Sequence, residues 1–180
     1  MALPPKRLYT IDDIYALPDN HRAELIDGRI YDTAPPNTMH QRLVSEFTIT
    51  IGNHIRSKKG SCRVFPAPFA VFLNKDNKNY VEPDISVICD KSKIDDYGCS
   101  GAPDWVIEVI SPSTERMDYG IKLFKYRSAG VREYWIVNPA KGIVNVYDFE
   151  HDEKTRLYDF DDNISSCIYE DLCIRISDLL

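Results

Sequence analysis

A chain of 180 residues lies within the usual range of a single domain and can bury one substantial core without covalent or metal staples, so one domain over 1–180 is expected. With 43% hydrophobic and 28% charged residues it has an ordinary globular composition, and no apolar run approaches the roughly 20 residues that span a bilayer, which argues against a membrane protein. The net charge of −6 speaks at first against a nucleic-acid partner, but it is uneven: from Asp148 to Leu180 ten acidic residues face three basic ones, leaving 18 acidic against 19 basic before them. The earlier region carries local basic clusters, Arg56-Ser57-Lys58-Lys59 with Arg63, and Arg127 with Arg132, which could meet phosphate, although a solvated helix end is the more common explanation for any one of them.

In chain order, the stretch from Met1 to Arg7 has no apolar signal-peptide core, and a cytoplasmic location is expected. Arg22 to Tyr31 reads as two short strands around Asp27-Gly28, the strongest short hairpin signal. Met39, Leu43, Phe47, Ile51 and Ile55 then recur every fourth residue, with Val44 beside them, which predicts a helix ending near Lys58-Lys59-Gly60. Three strands are predicted around Phe69–Leu73, Asp84–Cys89 and Trp105–Ile110, joined by short polar stretches as an antiparallel meander. Ser111-Pro112-Ser113-Thr114 suits a helix start, with Met117, Ile121, Phe124 and Ser128 as the inward stripe and Gly130 as the stop. That helix can cross over to a parallel strand, Glu133–Val137, and Asn138 to Gly142 then turns the chain into Ile143–Phe149 as a trailing hairpin.

Two carboxylates stand out, Asp84 in Glu82-Pro83-Asp84-Ile85-Ser86-Val87-Ile88 and Glu108 in Asp104-Trp105-Val106-Ile107-Glu108-Val109-Ile110. An ionised carboxyl in a buried strand costs several kcal/mol, on the order of its desolvation penalty, unless a cation or hydrogen bonds compensate. Alternation places Asp104, Val106, Glu108 and Ile110 on one face and Trp105, Ile107 and Val109 on the other. Both faces are mostly apolar, so the strand is central and Glu108 is shielded from water. Two such acids on neighbouring strands suggest a shared divalent metal, although a turn-capping Asp and an exposed strand-face Glu would explain either residue alone. The cysteines Cys62, Cys89, Cys99, Cys167 and Cys173 show no metal spacing, and neither a zinc site nor a disulfide framework is expected. No nucleophile elbow or phosphate-cradling glycine loop supports acyl transfer or nucleotide chemistry.

The string Glu82-Pro83-Asp84, the block Ala102 to Ser113, then Asp118, Lys122 and Tyr126, and the block Gly130 to Pro139 together resemble the Uma family of restriction-endonuclease-like proteins, assigned to the PD-(D/E)XK nuclease superfamily. Glu24-Leu25-Ile26-Asp27-Gly28, Pro35-Pro36 and His40 are similar to the N-terminal pattern of that family. The resemblance implies an α+β, restriction-endonuclease-like fold: a mixed β-sheet flanked by helices, with an N-terminal hairpin and a C-terminal strand extension. It implies a metal-dependent DNA endonuclease with Asp84 and Glu108 as magnesium ligands, manganese as a substitute, and Lys122 as the catalytic lysine. The superfamily commonly carries lysine two residues after the second acid; here that residue is Ile110, and Lys122 stands on the following helix.

Glu24 and His40 are possible auxiliaries, although a strand-face Glu and a buried hydrogen-bonded His are the readings the residues themselves favour. Asp118 and Lys122, four residues apart, also fit a weak surface ion pair, and Lys125 competes with Lys122. A homodimer using the hairpin or the trailing strands is expected, since two-fold assembly is the commonest and pairs two sites on a duplex. The rival readings are a non-catalytic nucleic-acid-binding or interaction module that keeps the fold and a hydrolase of RNA or smaller phosphodiesters.

Overall fold

The computed structural model describes residues 7–111, 114–151 and 155–180. After a short helix α1 (Ile11–Tyr15), strands β1 (Ala23–Ile26) and β2 (Arg29–Asp32) pair antiparallel around Asp27 and Gly28. Both turn residues hold positive φ, 50° and 72°, the primed-turn geometry that matches the twist of a two-residue hairpin. Helix α2 (Thr38–Ser57) opens with the Asn37 side chain accepting the His40 N–H at 2.9 Å, a cap on one of its orphan donors. It buries Leu43, Val44, Phe47, Ile51 and Ile55 as its periodicity requires, while Met39, in the first turn, is exposed.

The central sheet joins β3 (Arg63–Pro66), β5 (Ile85–Ile88), β8 (Trp105–Val109), β9 (Glu133–Asn138), β10 (Ile143–Asp148) and β11 (Arg156–Asp159), in the spatial order β11-β10-β9-β8-β5-β3. Between β3 and β5 lies β4 (Val71–Phe72), and between β5 and β8 lie β6 (Ile94–Asp95) and β7 (Gly98–Ser100). Only β8 and β9 run parallel, because a helical crossover joins them; the other neighbours are antiparallel. The expected meander is corrected here. The segment around Phe69–Leu73 leaves the main sheet, β4 pairing instead with β7 in a small three-stranded sheet, and Arg63–Pro66 takes the edge position beside β5. The trailing hairpin is likewise integral, since β10 and β11 extend the sheet; β12 (Ile164–Ser165) and β13 (Cys173–Ile174) form a separate pair.

Both faces of the sheet are covered. Trp105, Ile107 and Val109 of β8 pack with α2 and with Ile164, Leu172, Ile174 and Ile176 of the C-terminal segment. Val106 and Ile110 face the other way, toward Ile26, Val71, Tyr126 and Tyr134. This is the alternation expected of a central strand, and it puts Glu108 on the second face. Among the described residues no helix is long and apolar enough to cross a membrane.

The second helix departs from expectation in a way that matters for the site. It begins as a π-helical segment, Met117–Lys122, and continues as α3 (Leu123–Ala129), ending at Gly130 with φ 96°. Pro112 and Ser113 of the proposed helix start lie outside the described residues. Ile121 and Phe124, expected inward, are 41% and 73% exposed, whereas Asp118, Lys122, Lys125 and Tyr126 are buried. The helix thus turns its polar stripe to the core, where Glu108 needs partners, and leaves Ile121 and Phe124 of its apolar stripe exposed, with Met117 half-buried against the core.

A second correction concerns the cysteines: Cys62 and Cys89, which flank the paired strands β3 and β5, form a disulfide, while Cys99, Cys167 and Cys173 are free. The cysteines lie 27 positions apart in sequence, and only strand pairing makes them neighbours.

Candidate active site

The site forms where β5 stops and β8 continues. Ile85 pairs with Ile107, but Pro83 has no N–H and the ladder ends at Asp84. The N–H of Val109, which a longer β5 would have met, is taken by Asp84 Oδ2 at 2.8 Å, and the Asp84 N–H reaches Glu108 Oε2 at 3.3 Å. The two acids therefore interlock on one face, each satisfying backbone beside the other. His40, from the first turn of α2, lies against the same carboxylate, Nε2 at 3.0 Å from Asp84 Oδ2.

From the opposite side the inward stripe of the second helix closes on Glu108. Lys122 Nζ donates to Glu108 Oε1 at 2.9 Å and stands 2.9 Å from Glu24 Oε2, with Asp118 Oδ1 farther off at 3.7 Å. Tyr126 donates its hydroxyl to the same Glu108 oxygen at 2.7 Å. Glu24 comes from β1, where its other oxygen accepts the Glu82 N–H at 3.0 Å, so the N-terminal hairpin is tied to the segment leading into Asp84 and, through Lys122, to Glu108. The alternative of a surface ion pair between Asp118 and Lys122 does not hold, since both are buried, at 3% and 7% exposure. Lys125 turns instead to Asp27 at the hairpin tip, which separates it from Glu108.

Four carboxylates, Glu24, Asp84, Glu108 and Asp118, lie about Lys122 and His40, and the electrostatics reflect this surplus of negative charge. Burial raises the Glu108 carboxyl well above its usual range, opposed by Lys122 and reinforced by the nearby acids. Burial also pushes Asp118 up to about 6, against the pull of Lys122. For Lys122 burial works in the opposite sense, but Glu108 and Glu24 outweigh it and hold the ammonium charged. Burial lowers and Asp84 raises the imidazole of His40, with a net increase.

All five residues singled out in the sequence, Asp84, Glu108, Lys122, Glu24 and His40, therefore meet in one place. Tyr126 and Asp118 belong with them and had been given no role. Their signal was present, since Asp118, Lys122 and Tyr126 recur every fourth residue and share a helical face. The basic clusters fare differently. Lys58 pairs with Asp171, and Arg132 with Asp104 and Glu150, so part of that charge is answered within the chain.

Asp84 and Glu108 are the residues that could hold a divalent ion, and they would ligate it weakly. Among the described residues, Oε2 of Glu108 accepts only the long hydrogen bond from the Asp84 N–H, and Asp84 Oδ1 accepts none. No group of three or more His, Cys, Asp or Glu among the described residues is arranged to hold a metal. Two carboxylate oxygens without further side-chain ligands suit magnesium, which keeps several waters, and do not suit zinc.

A family model described as "Uma2: Putative restriction endonuclease" matches residues 11–173. The crystal structure of a "putative nuclease belonging to DUF820" from Anabaena variabilis aligns with a TM-score of 0.76 and 25% identity, over 94% of this chain and 96% of that one. An uncharacterized protein of Synechocystis is 27% identical over 125 residues, 69% of this chain and 64% of its own length, so the match spans a little under two thirds of that relative. The mixed sheet and its helices are the restriction-endonuclease-like α+β fold.

Proposed function

We propose, from the premise that this chain belongs to the Uma2 family, that it is a nuclease hydrolysing DNA phosphodiester bonds with a divalent ion held by Asp84 and Glu108. The observation that carries the reading is the buried excess of carboxylate around Lys122: an arrangement that is costly in an empty protein becomes favourable once a cation is bound. Magnesium, with manganese as its substitute, is the ion whose chemistry matches. When bound it polarises a phosphoryl oxygen and makes a water acidic enough to attack.

The residues of the chain perform the rest. Lys122 presents a charged ammonium, kept protonated by Glu108 and Glu24, to the attacking water and to the charge that develops on the phosphoryl oxygens. His40 steadies Asp84 through its hydrogen bond, as groups behind a metal ligand commonly do. Glu24 restrains Lys122 from the hairpin. The chain itself supplies a lysine without needing one at Ile110, which is buried in the core.

The test is cleavage of supercoiled and linear DNA by the chelator-treated protein as magnesium is restored, with RNA in parallel. Asp84→Asn and Glu108→Gln are expected to abolish cleavage. Undiminished cleavage by either variant would remove the acid pair from the mechanism, and DNA binding without turnover in any metal would favour the non-catalytic module. Assembly belongs to the same reading: cutting both strands of a duplex takes two such sites, and the edge strand β11, with Leu157 62% exposed, offers a second copy a pairing edge. Sedimentation showing only monomer at assay concentration would exclude the homodimer.

A further inference from the structure

Lys122 and Tyr126 both bond Oε1 of Glu108, but they differ in what they can enforce. A lysine is a point charge on a flexible stem, and its ammonium follows the carboxylate wherever it turns. Tyr126 cannot follow. Its side chain is 0% exposed, its ring is held edge-on by Tyr134 with centroids 5.0 Å apart, and its carbonyl accepts the Val131 N–H at 3.0 Å where the helix ends. The hydroxyl therefore stands at a place fixed by packing, and its 2.7 Å bond draws Oε1 to that place.

With Oε1 committed to two donors, Oε2 is left facing Asp84, where the one hydrogen bond it accepts among the described residues is the 3.3 Å approach of the Asp84 N–H. We infer that Tyr126 is a positioning residue: its hydroxyl sets the rotamer of Glu108 so that the oxygen free for a divalent ion points toward Asp84. This rests on the metal-dependent reading above and adds to it the group that orients one of its two ligands. Tyrosine is suited to the task because two side-chain torsions leave it little freedom once the ring is packed. Its neighbour Lys122, one turn earlier on the same face, is left with its charge for the reaction.

The experiment compares manganese binding by calorimetry and steady-state cleavage in the wild type, Tyr126→Phe and Tyr134→Phe. Phenylalanine keeps the packed ring, and circular dichroism checks the fold. Tyr134 is the control because its hydroxyl is equally buried but bonds the Asp118 carbonyl, at 3.3 Å, and no carboxylate. Tyr126→Phe is expected to weaken manganese binding roughly tenfold, as loss of a partner behind a metal ligand commonly does, and to lower kcat with KM unchanged. Tyr134→Phe should bind manganese as the wild type does. Equal affinity in Tyr126→Phe and the wild type, or equal weakening in both variants, overturns the positioning role while leaving the nuclease reading intact. Absence of manganese binding in the wild type overturns both.

Discussion

Lys122 is held by acids on two other elements, and that makes its removal costly in two separable ways. In the metal-free protein Lys122→Ala leaves Glu24 and Glu108 buried without a cation, and stability should fall by about 3–5 kcal/mol, read as a lower urea midpoint. In magnesium the same variant should lose DNA cleavage. Lys125→Ala gives up a partner, Asp27, whose side chain is 65% exposed, so its loss should be nearer about 1 kcal/mol with cleavage retained. Cleavage lost only in the Lys125 variant would reassign the role.

Asp118 makes a second residue-level prediction. Its carboxyl is raised to about 6 in the folded protein from an ordinary 3.8, so between those values the folded state keeps a proton that the unfolded state gives up. Stability therefore falls as pH rises through about 4 to 6, by about 3 kcal/mol for a difference of two pK units. Asp118→Asn should remove this part of the slope in urea unfolding measured with metal chelated. Parallel pH profiles for the two proteins would show that Asp118 titrates normally.

At the scale of elements, the helix between β8 and β9 shows how period alone misleads. Met117, Ile121, Phe124 and Ser128 form the more obvious apolar stripe, yet Asp118, Lys122 and Tyr126 form an equally regular one. The choice between them lies outside the helix: Glu108, buried on β8, requires donors, and the π-helical segment carries Asp118 and Lys122 inward together. Phe124→Ser should therefore change stability by no more than about 0.5 kcal/mol, as surface substitutions do. Phe47→Ala, on the buried stripe of α2, should cost about 3–5 kcal/mol. A large loss for Phe124→Ser in thermal melts would contradict the orientation. The misplaced strand has a similar origin, since Val71 and Phe72 are apolar enough for either sheet and the parallel partner β7 decides.

For the molecule as a whole, the Cys62–Cys89 bond closes a loop between strands that are also sheet neighbours. At a sequence separation of 27, a crosslink of this kind contributes about 3–4 kcal/mol by restricting the unfolded chain, and Cys62→Ser should lose a comparable amount. Thiol titration of the denatured, unreduced chain should find three reactive cysteines, rising to five after reduction. Five before reduction would show the bond absent in that preparation. The acidic C-terminal region is likewise a matter of the whole fold: its Asp171 and Glu150 face Lys58 and Arg132 of earlier elements, so charge that looked segregated along the chain is partly matched in space.

The sequence by itself determined what local geometry controls. The Asp-Gly turn, the fourfold period of α2, and the alternation that shields Glu108 follow from backbone sterics and side-chain direction within a few residues, whereas the meeting of Asp84 with Glu108 rests on the pairing of β5 with β8. Tertiary structure alone decided which groups answer those acids. Glu24, His40, Lys122 and Tyr126 come from a hairpin and two helices far apart in the chain, and the local explanations that suffice for Glu24, His40 and Lys122 are displaced only by contact across the fold. The same holds for the disulfide and the edge strand. A buried charge requires a partner, but the sequence states the need at Glu108 without naming the residues that the folded chain brings to it.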